Sequence, residues 1–297
     1  MAAASAASGA GVRVRSGTAT AAAPASSWER VRGMRAWSQA YPAPVSEVAA
    51  LEEVCERAWP PRERVELDGA VLRFTDGFTR RANSARVDGG AADLGGLIAR
   101  AEHEYRSRGL RPGFRLTPLS PPAFERLLGE RGYIVDTEAV VMVAEALPAA
   151  APARDGDEIA LEPGLGEAWL RVFQAIERHW PAEQDPGARW VLGSGVSPRR
   201  FALARVDGAP AATGYARLED DWLYIACVGT SSDHRRRGLA RAVSERLFDW
   251  GASSGARRAI LQVETKNAAA QGLYAQLGFR PRYVYRDLVP GSAEATD

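Results

Sequence analysis

Lysine is almost absent from this sequence of 297 residues: Lys266 is its only lysine, and arginine supplies the rest of the 38 basic residues. Acidic residues number 37, and the formal net charge at pH 7 is +1. With the two signs so nearly balanced, the protein has no overall field that would hold it on a polyanion. The composition therefore argues against a nucleic-acid-binding protein, and we expect no nucleic-acid partner.

Cysteine and long apolar runs are also scarce. The two cysteines, Cys55 and Cys227, each lie in an apolar pattern, which favours small core residues in a reducing compartment over a disulfide. No segment approaches the length of a membrane-spanning helix, and residues 1–27 lack the leucine-rich core of a signal peptide. We therefore expect a cytoplasmic protein with no membrane partner and with a disordered tail over residues 1–27.

A linker is expected near the middle of the chain, where residues 148–157 read PAAAPARDGD. A chain of this length can form two domains, each with a core of its own. We assign residues 28–147 to a front domain, residues 158–290 to a back domain, and residues 291–297 to a second disordered tail.

Hydrophobic periodicity predicts alternating helices and strands in both domains. In the front domain it predicts helices at 46–59, at about 93–108 and after Pro121-Pro122, a hairpin at 65–77 that turns at Asp68-Gly69, and strands at 114–120 and 133–147. In the back domain it predicts strands at 158–163, 199–208, 209–220, 221–230, 258–265 and 282–289, and helices at 167–180, up to about 254 and at about 267–277.

The two domains share one order of elements: helix, strand, helix, a turn of glycine and an aromatic residue, then a strand. The turns are Gly132-Tyr133 in the front domain and Gly278-Phe279 in the back domain. Helix–strand alternation is common enough for such an order to arise by chance. The matching turns nevertheless favour an internal duplication.

The stretch SSDHRRRGLARA, residues 231–242, follows an apolar strand and begins a helix. Backbone N–H groups at the positive end of a helix dipole form a natural phosphate site. Gly238 allows close approach of the main chain, Ala240 keeps the first turn small, and Arg235, Arg236 and Arg237 supply cations. The spacing favours a phosphate site, with a solvated basic loop as the main alternative.

This segment resembles the acetyl-CoA signature of the GNAT N-acetyltransferase superfamily, Arg/Gln-x-x-Gly-x-Gly/Ala, over residues 235–240. Downstream, LQVETKNAAAQGLYAQLGF at 261–279 resembles the next motif of that family, which places an Asn after a strand and a Tyr on a helix. Asn267 and Tyr274 occupy those positions. The two motifs occur in the family's order and at its usual separation.

The resemblance implies an α/β fold in which a mixed, splayed sheet is flanked by helices, in two tandem copies similar to mycothiol synthase-like proteins. It also implies acetyl-CoA as co-substrate and no metal. The implied cofactor-binding residues are Val228, Gly229 and Thr230 along the pantetheine arm, Arg235, Arg236, Arg237, Gly238, Leu239 and Ala240 around the pyrophosphate, and Asn267 on the arm.

The resemblance further implies that Tyr274 protonates the departing thiolate, whereas an ordinary packing role on the helix is the alternative. Many relatives carry a glutamate base at the position of Tyr224, and a phenol is a poor proton acceptor at pH 7. Glu219 lies just upstream and is our candidate base, acting through water. The alternative for Glu219 is an acidic residue of a hairpin turn.

The front domain lacks the signature and has no tyrosine at the equivalent of Tyr274, near Arg126. We interpret it as a degenerate copy whose segment FTRRANS, residues 78–84, lines the acceptor cleft. The expected activity is transfer of an acetyl group from acetyl-CoA to a primary amine of a small molecule, or of a peptide or protein N-terminus, by direct attack in a ternary complex. A non-catalytic acyl-CoA-binding sensor is the alternative function. The sequence leaves open whether the protein forms a homodimer.

Overall fold

The structure is a computed structural model that describes residues 43–148, 158–176 and 185–291. The elements of the front half are α1 (Val45–Ala58), β1 (Glu63–Leu67), β2 (Ala70–Phe74), β3 (Ala85–Val87), α2 (Leu94–Ser107), β4 (Phe114–Leu116), α3 (Pro122–Glu130) and β5 (Tyr133–Ala144). The elements of the back half are β6 (Glu158–Glu162), α4 (Glu167–Ile176), α5 (Asp185–Gly193), β7 (Arg199–Val206), β8 (Ala209–Glu219), β9 (Trp222–Thr230), α6 (Leu239–Ser253), β10 (Arg258–Glu264), α7 (Ala268–Gln276) and β11 (Arg280–Pro290).

The predicted helices and strands are confirmed, with ends shifted by a few residues, and the helix predicted at 167–180 is described as far as Ile176. The predicted hairpin turn is confirmed too, because Asp68 and Gly69 both have positive φ. One strand and one α-helix of the described residues were missed: β3, which has only three residues, and α5, whose first turn contains Pro186 and Gly187. Two 3-10 helices of three residues each, Arg80–Ala82 and Ser232–His234, were not predicted either. No helix in the described ranges is long and apolar enough to cross a bilayer.

Eleven strands form one mixed sheet in the order β1-β2-β3-β4-β11-β5-β10-β9-β8-β7-β6. The two halves exchange strands in this sheet, since β5 of the front half lies between β11 and β10, and β11 of the back half lies between β4 and β5. Each half also contains one parallel pair, β3 with β4 and β9 with β10. The sheet therefore crosses the domain boundary expected near residue 150. Most of the predicted linker and the predicted tails lie outside the described residues.

Side chains alternate across the back half of the sheet and pack into two separate cores. Trp222 and Tyr224 of β9 pack with α1, α4 and α5 on one side, which we call the α1 face. Leu223 and Ile225 pack with α6 and α7 on the other side, the α6 face. A third core fills the front half between its strands and helices α2 and α3.

Two glycines set how closely α6 approaches the sheet. A Cβ at Gly214 of β8 would collide with Val243 of α6, and a Cβ at Gly251 of α6 would lie 2.6 Å from a methyl of Leu223. Because interiors are close-packed, neither position has room for a larger residue. The start of α6, which follows the arginine-rich loop, is thereby fixed relative to β9.

The exchange of β5 and β11 predicts that neither half folds alone. Residues 43–148 expressed by themselves lose both neighbours of β5, and residues 158–291 lose the strand between β10 and β11. We expect each fragment to lack a cooperative thermal transition by circular dichroism, and the two co-expressed fragments to regain one. The full chain cleaved within residues 149–157 is the control. A cooperative transition in isolated residues 158–291 would contradict this dependence.

Candidate active site

A cavity opens where β9 and β10 separate. The two strands pair only from Trp222 opposite Arg258 to Ile225 opposite Leu261. Beyond these positions β9 stays with β8 and β10 stays with β5, and the space between them is a cavity of about 530 Å³. The splayed sheet that the resemblance implied is confirmed at this point.

A bulge shapes the edge of β9 beside the cavity. Cys227 has φ of 55°, and the register between β8 and β9 shifts between Thr213 and Tyr215. The Thr213 hydroxyl donates to the Cys227 carbonyl at 3.0 Å, and the Trp169 Nε1–H donates to the Gly214 carbonyl at 3.0 Å. These bonds satisfy carbonyl groups at the point where the ladder is disrupted, and they hold the bulge in place.

The main chain of β9 beyond Ile225 has β8 on one side and no partner strand on the other among the described residues. Val228 lines the cavity, and Gly229 and Thr230 continue the same open edge. An extended amide-containing chain can pair with such an edge as an added strand would.

The cavity passes through the sheet and is lined from both faces. Trp59 and Phe78 line it from the α1 face, and Tyr274 and Ala270 line it from the α6 face. Thr137 of β5 adds a wall from the front half. One ligand can therefore enter from the α6 face and a second from the α1 face, so that the two meet in the opening of the sheet.

The arginine-rich loop presents free backbone donors at the start of α6. Arg236 and Gly238 both have positive φ, and Gly238 caps the helix without a side-chain hydrogen bond. No acceptor in the described part of the chain binds the backbone N–H groups from Arg236 to Ala240. The side chains of Arg235, Arg236 and Arg237 are exposed. Free donors, a helix terminus and three cations together fit a pyrophosphate.

The corresponding helix of the front half has one of its donors occupied by a carboxylate. Asp93 caps α2, and its carboxylate accepts a hydrogen bond from the Gly96 N–H at 2.9 Å. A negative charge at this place repels phosphate. Arg126, near the position that corresponds to Tyr274, pairs with Glu130 on the surface of α3. Both features agree with the absence of the signature from the front half.

Tyr274 and Asn267 both line the cavity. Burial raises the pKa of the Tyr274 hydroxyl above its ordinary value, with the Ser244 hydroxyl acting in the opposite direction. The phenol is therefore protonated at neutral pH and able to donate. Asn267 caps α7 through Oδ1, which accepts from the Ala270 N–H at 3.1 Å. Its side-chain amino group is the part left for a ligand.

The structure does not bring Glu219 to the cavity. Its carboxylate lies at the far end of β8, 2.7 Å from Arg217 and 3.6 Å from Arg57. Tyr224 is fully buried on the α1 face, and its hydroxyl accepts a hydrogen bond from Arg81 Nη1 at 2.6 Å. Burial raises the pKa of Tyr224. The arrangement therefore does not favour either residue as a base.

Several cavity residues were not singled out from the sequence, although the segment 78–84 was expected to line the cleft and does so through Phe78, Thr79, Arg80 and Arg81. The residues missed include Trp59, Thr137, Gln262, Tyr285 and Asp287. Burial raises the pKa of Tyr285 to about 12. The two cavity-lining carboxylates are both in ion pairs, Asp287 with Arg115 at 3.1 Å and Glu264 with Lys266 at 2.7 Å.

Comparison with known proteins places this geometry in context. The family described as "Probable histone acetyltransferase Rv0428c C-terminal" matches residues 45–288. The chain is 25% identical over 241 residues to "Uncharacterized N-acetyltransferase YobR" of Bacillus subtilis, which covers 80% of this chain and 96% of that protein.

Solved structures show the same fold. A GCN5-related N-acetyltransferase from Kribbella flavida superposes with a TM-score of 0.62 at 20% identity, covering 84% of this chain and 97% of that chain. A tandem GNAT protein from the clavulanic acid biosynthesis pathway superposes with a TM-score of 0.55 at 13% identity, covering 83% and 88% of the two chains.

The left-handed conformation of Gly238 predicts the effect of a substitution in the loop. A glutamate there would add backbone strain and place a side chain and a negative charge where the pyrophosphate is expected. We expect Gly238→Glu to weaken acetyl-CoA binding by at least about tenfold, or about 1.4 kcal/mol, in calorimetric titration.

Gly208→Glu is the matched control, because Gly208 has φ of 76° in the β7–β8 turn and an added Cβ would have no neighbour within 4 Å. Unchanged acetyl-CoA affinity in a folded Gly238→Glu protein would remove the loop from the binding site.

Proposed function

The chain belongs to the Rv0428c C-terminal family of GNAT acetyltransferases, and on that premise we propose that it transfers the acetyl group of acetyl-CoA to a primary amine of a small molecule or of a protein N-terminus. The observations that carry the proposal are the cavity through the splayed sheet, which Val228 of β9 lines, and the free donors of the loop that joins β9 to α6. Acetyl-CoA supplies an activated acyl group. The residues of the chain bind it, orient it and donate one proton to the departing thiolate.

Binding of acetyl-CoA is assigned to the α6 face. The N–H groups of residues 236–240 and the arginines of that loop hold the pyrophosphate. The open edge of β9, from Val228 to Thr230, and the amide of Asn267 hold the pantetheine arm along the splay. Of the two corresponding helices in the described ranges, α2 and α6, only α6 begins with free donors, so we expect one tight cofactor site in each chain.

The acceptor amine is assigned to the α1 face, where residues 77–81 of the front half line the cavity. Its nitrogen reaches the thioester through the opening in the sheet and attacks it directly while both substrates are bound. Tyr274 lies on the opposite face and donates its proton toward the departing thiolate. The neutral phenol suits that role because burial raises its pKa.

The experiment that tests the proposal is release of free CoA thiol from acetyl-CoA in the presence of a panel of primary amines and short peptides. Amine-dependent release, with acetylated product identified by mass spectrometry, supports an enzyme. Tight acetyl-CoA binding without release for any acceptor would instead support the sensor alternative.

Removing the Tyr274 hydroxyl should affect turnover more than affinity. The ring of Tyr274 packs edge-on against Phe279 with centroids 5.5 Å apart, and phenylalanine keeps that contact. We expect Tyr274→Phe to lower kcat about a hundredfold, within the usual range for general acid catalysis, with little change in the acetyl-CoA Kd.

Tyr105→Phe is the control, because the Tyr105 hydroxyl donates to the Arg73 carbonyl outside the cavity. A Tyr274→Phe protein that keeps nearly full kcat would return Tyr274 to a packing role.

The pH dependence should follow the acceptor. Since the cavity-lining carboxylates Asp287 and Glu264 are both in ion pairs, the amine enters by losing its own proton to solvent. We expect log kcat/KM to rise with pH by about one per unit up to the pKa of the amine and then to level off. The raised pKa of Tyr274 keeps the phenol protonated, so no alkaline loss is expected below pH of about 10.

Profiles for two amines whose pKa values differ by at least one unit give the measurement. The pH at which log kcat/KM levels off should shift with the pKa of the amine. Two profiles that level off at the same pH would reveal a base in the protein.

A further inference from the structure

Arg81 brings a positive charge to the cavity without a carboxylate to balance it in the described part of the chain. Its guanidinium lies 4.3 Å from the centroid of the Trp59 ring, and its Nη1 donates to the Tyr224 hydroxyl at 2.6 Å. The side chain is half-buried. An indole and a neutral phenol compensate a guanidinium only partly, because removing a cation from water is costly unless an anion faces it.

Other arginines near the cavity are balanced. Arg80, the preceding residue, pairs with Asp136 at 2.9 Å, and Arg115 pairs with Asp287 at 3.1 Å. Arg86 pairs with the buried Glu52 at 3.1 Å. The protein therefore supplies carboxylates to arginines beside the cavity, and Arg81 differs from them in facing a phenol.

Gln262 of β10 adds a second donor on the same side of the cavity. Its Nε2 is buried and has no oxygen or nitrogen acceptor among the described residues, and it faces only the weak sulfur acceptor of Cys55. Its Oε1 accepts from the Tyr285 hydroxyl at 3.4 Å. Gln262 alternates with Leu261 and Val263, which pack on the α6 face, and so points to the α1 face with Arg81. Arg81, which no carboxylate faces, and Gln262, whose Nε2 no oxygen faces, thus line the same cavity in the described part of the chain.

The loop that carries Arg81 is held in a strained conformation. Thr79 has φ of 55° and ψ of 147°, which is costly for a β-branched residue. The Asn83 amide fixes the loop by donating to the carbonyls of Phe78 at 2.7 Å and Thr79 at 3.0 Å. The Thr79 hydroxyl in turn accepts from Trp59 Nε1 at 2.9 Å. Strain that is locked by several bonds is typical of ligand-binding segments.

We propose that the acceptor is a small amine that carries a carboxylate group, and that Arg81 and Gln262 bind this carboxylate. The inference rests on the proposed function and specifies its substrate class. One uncompensated positive charge matches a carboxylate better than a phosphate monoester, which carries about −1.5 to −2. A cavity of about 530 Å³ that also receives the pantetheine arm leaves room for a molecule of the size of an amino acid.

The test uses acetylated products, so that it does not depend on turnover. Full-length protein saturated with CoA is titrated by calorimetry with N-acetylalanine and N-acetylphenylalanine, and with the primary amide of each. The two members of each pair have nearly the same size and shape, and the amide replaces the charged carboxylate with a neutral group that has one acceptor oxygen instead of two. We expect the carboxylates to bind at least about tenfold tighter than the amides, as for hydrogen bonds to charged groups.

Arg81→Met should remove most of this difference, whereas Arg81→Lys should keep part of it, because lysine retains the charge but not the planar fork. Arg62→Met is the matched control. Arg62 also lies over a tryptophan, Trp190, but it pairs with Asp76 at 2.8 Å and lies outside the cavity lining.

Equal binding of acids and amides, tighter binding of the amides, or a difference that persists in Arg81→Met would each overturn the inference. So would the failure of all four compounds to bind to protein that binds CoA. Failure of the protein to bind acetyl-CoA at all would instead remove the proposed function, so the two failures are distinguishable.

Discussion

The antiparallel pairing of β5 with β11 is the contact on which the rest of the molecule depends. It runs from Val143 opposite Arg280 to Tyr133 opposite Pro290, and it joins strands that come from different halves of the sequence. Because β5 also pairs with β10, the front half supports the β10 side of the opening between β9 and β10. Tyr283 of β11 extends the connection, since its hydroxyl donates to the buried Glu52 of α1 at 2.7 Å. Burial alone would raise the pKa of Glu52, but Arg115 and Arg86 hold it below its ordinary value.

A small difference in capping separates the two related halves. Both place a helix after the first strand of a parallel pair, and both helices expose N–H groups at their first turn. Asp93 uses its own carboxylate to satisfy one such group, which typically stabilises a helix by about 1 kcal/mol. Gly238 gives up that stabilisation and leaves the donors free. The cap that helps the front helix is thus incompatible with phosphate, and the weaker cap of the back helix is what a phosphate ligand requires.

The sequence was sufficient for the features that depend on neighbours along the chain. Helix and strand periods, the Asp68-Gly69 turn and the glycine at the start of α6 are local signals, and the structure agrees with them. Features that depend on contacts between residues far apart in the sequence could not be predicted. Arg81 and Tyr224 lie 143 positions apart, and nothing in either segment indicates that they are bonded. Strand exchange is equally invisible, because β5 and β11 have ordinary strand patterns.

The choice of Glu219 rested on its closeness to Tyr224 in the sequence, and the structure places its carboxylate outside the cavity lining. Glu219 of β8 lies opposite Trp222 of β9. The opening between β9 and β10 begins only after Ile225, which is about 10 Å farther along β9 at 3.3 Å per residue. The carboxylate of Glu219 also forms ion pairs with Arg217 and Arg57.

The front half, whose helix α2 is capped by Asp93, has a physical reason to keep a complete core. The loop of residues 77–81 lines the cavity, and the Asn83 amide holds Thr79 of this loop in a strained conformation. The guanidinium of Arg81 is stacked and hydrogen-bonded before any acceptor arrives, so binding need not order it. That pre-organisation depends on the packed strands and helices behind the loop. Under the proposed function, the back half would bind acetyl-CoA, and the pre-organised loop of the front half would define the acceptor.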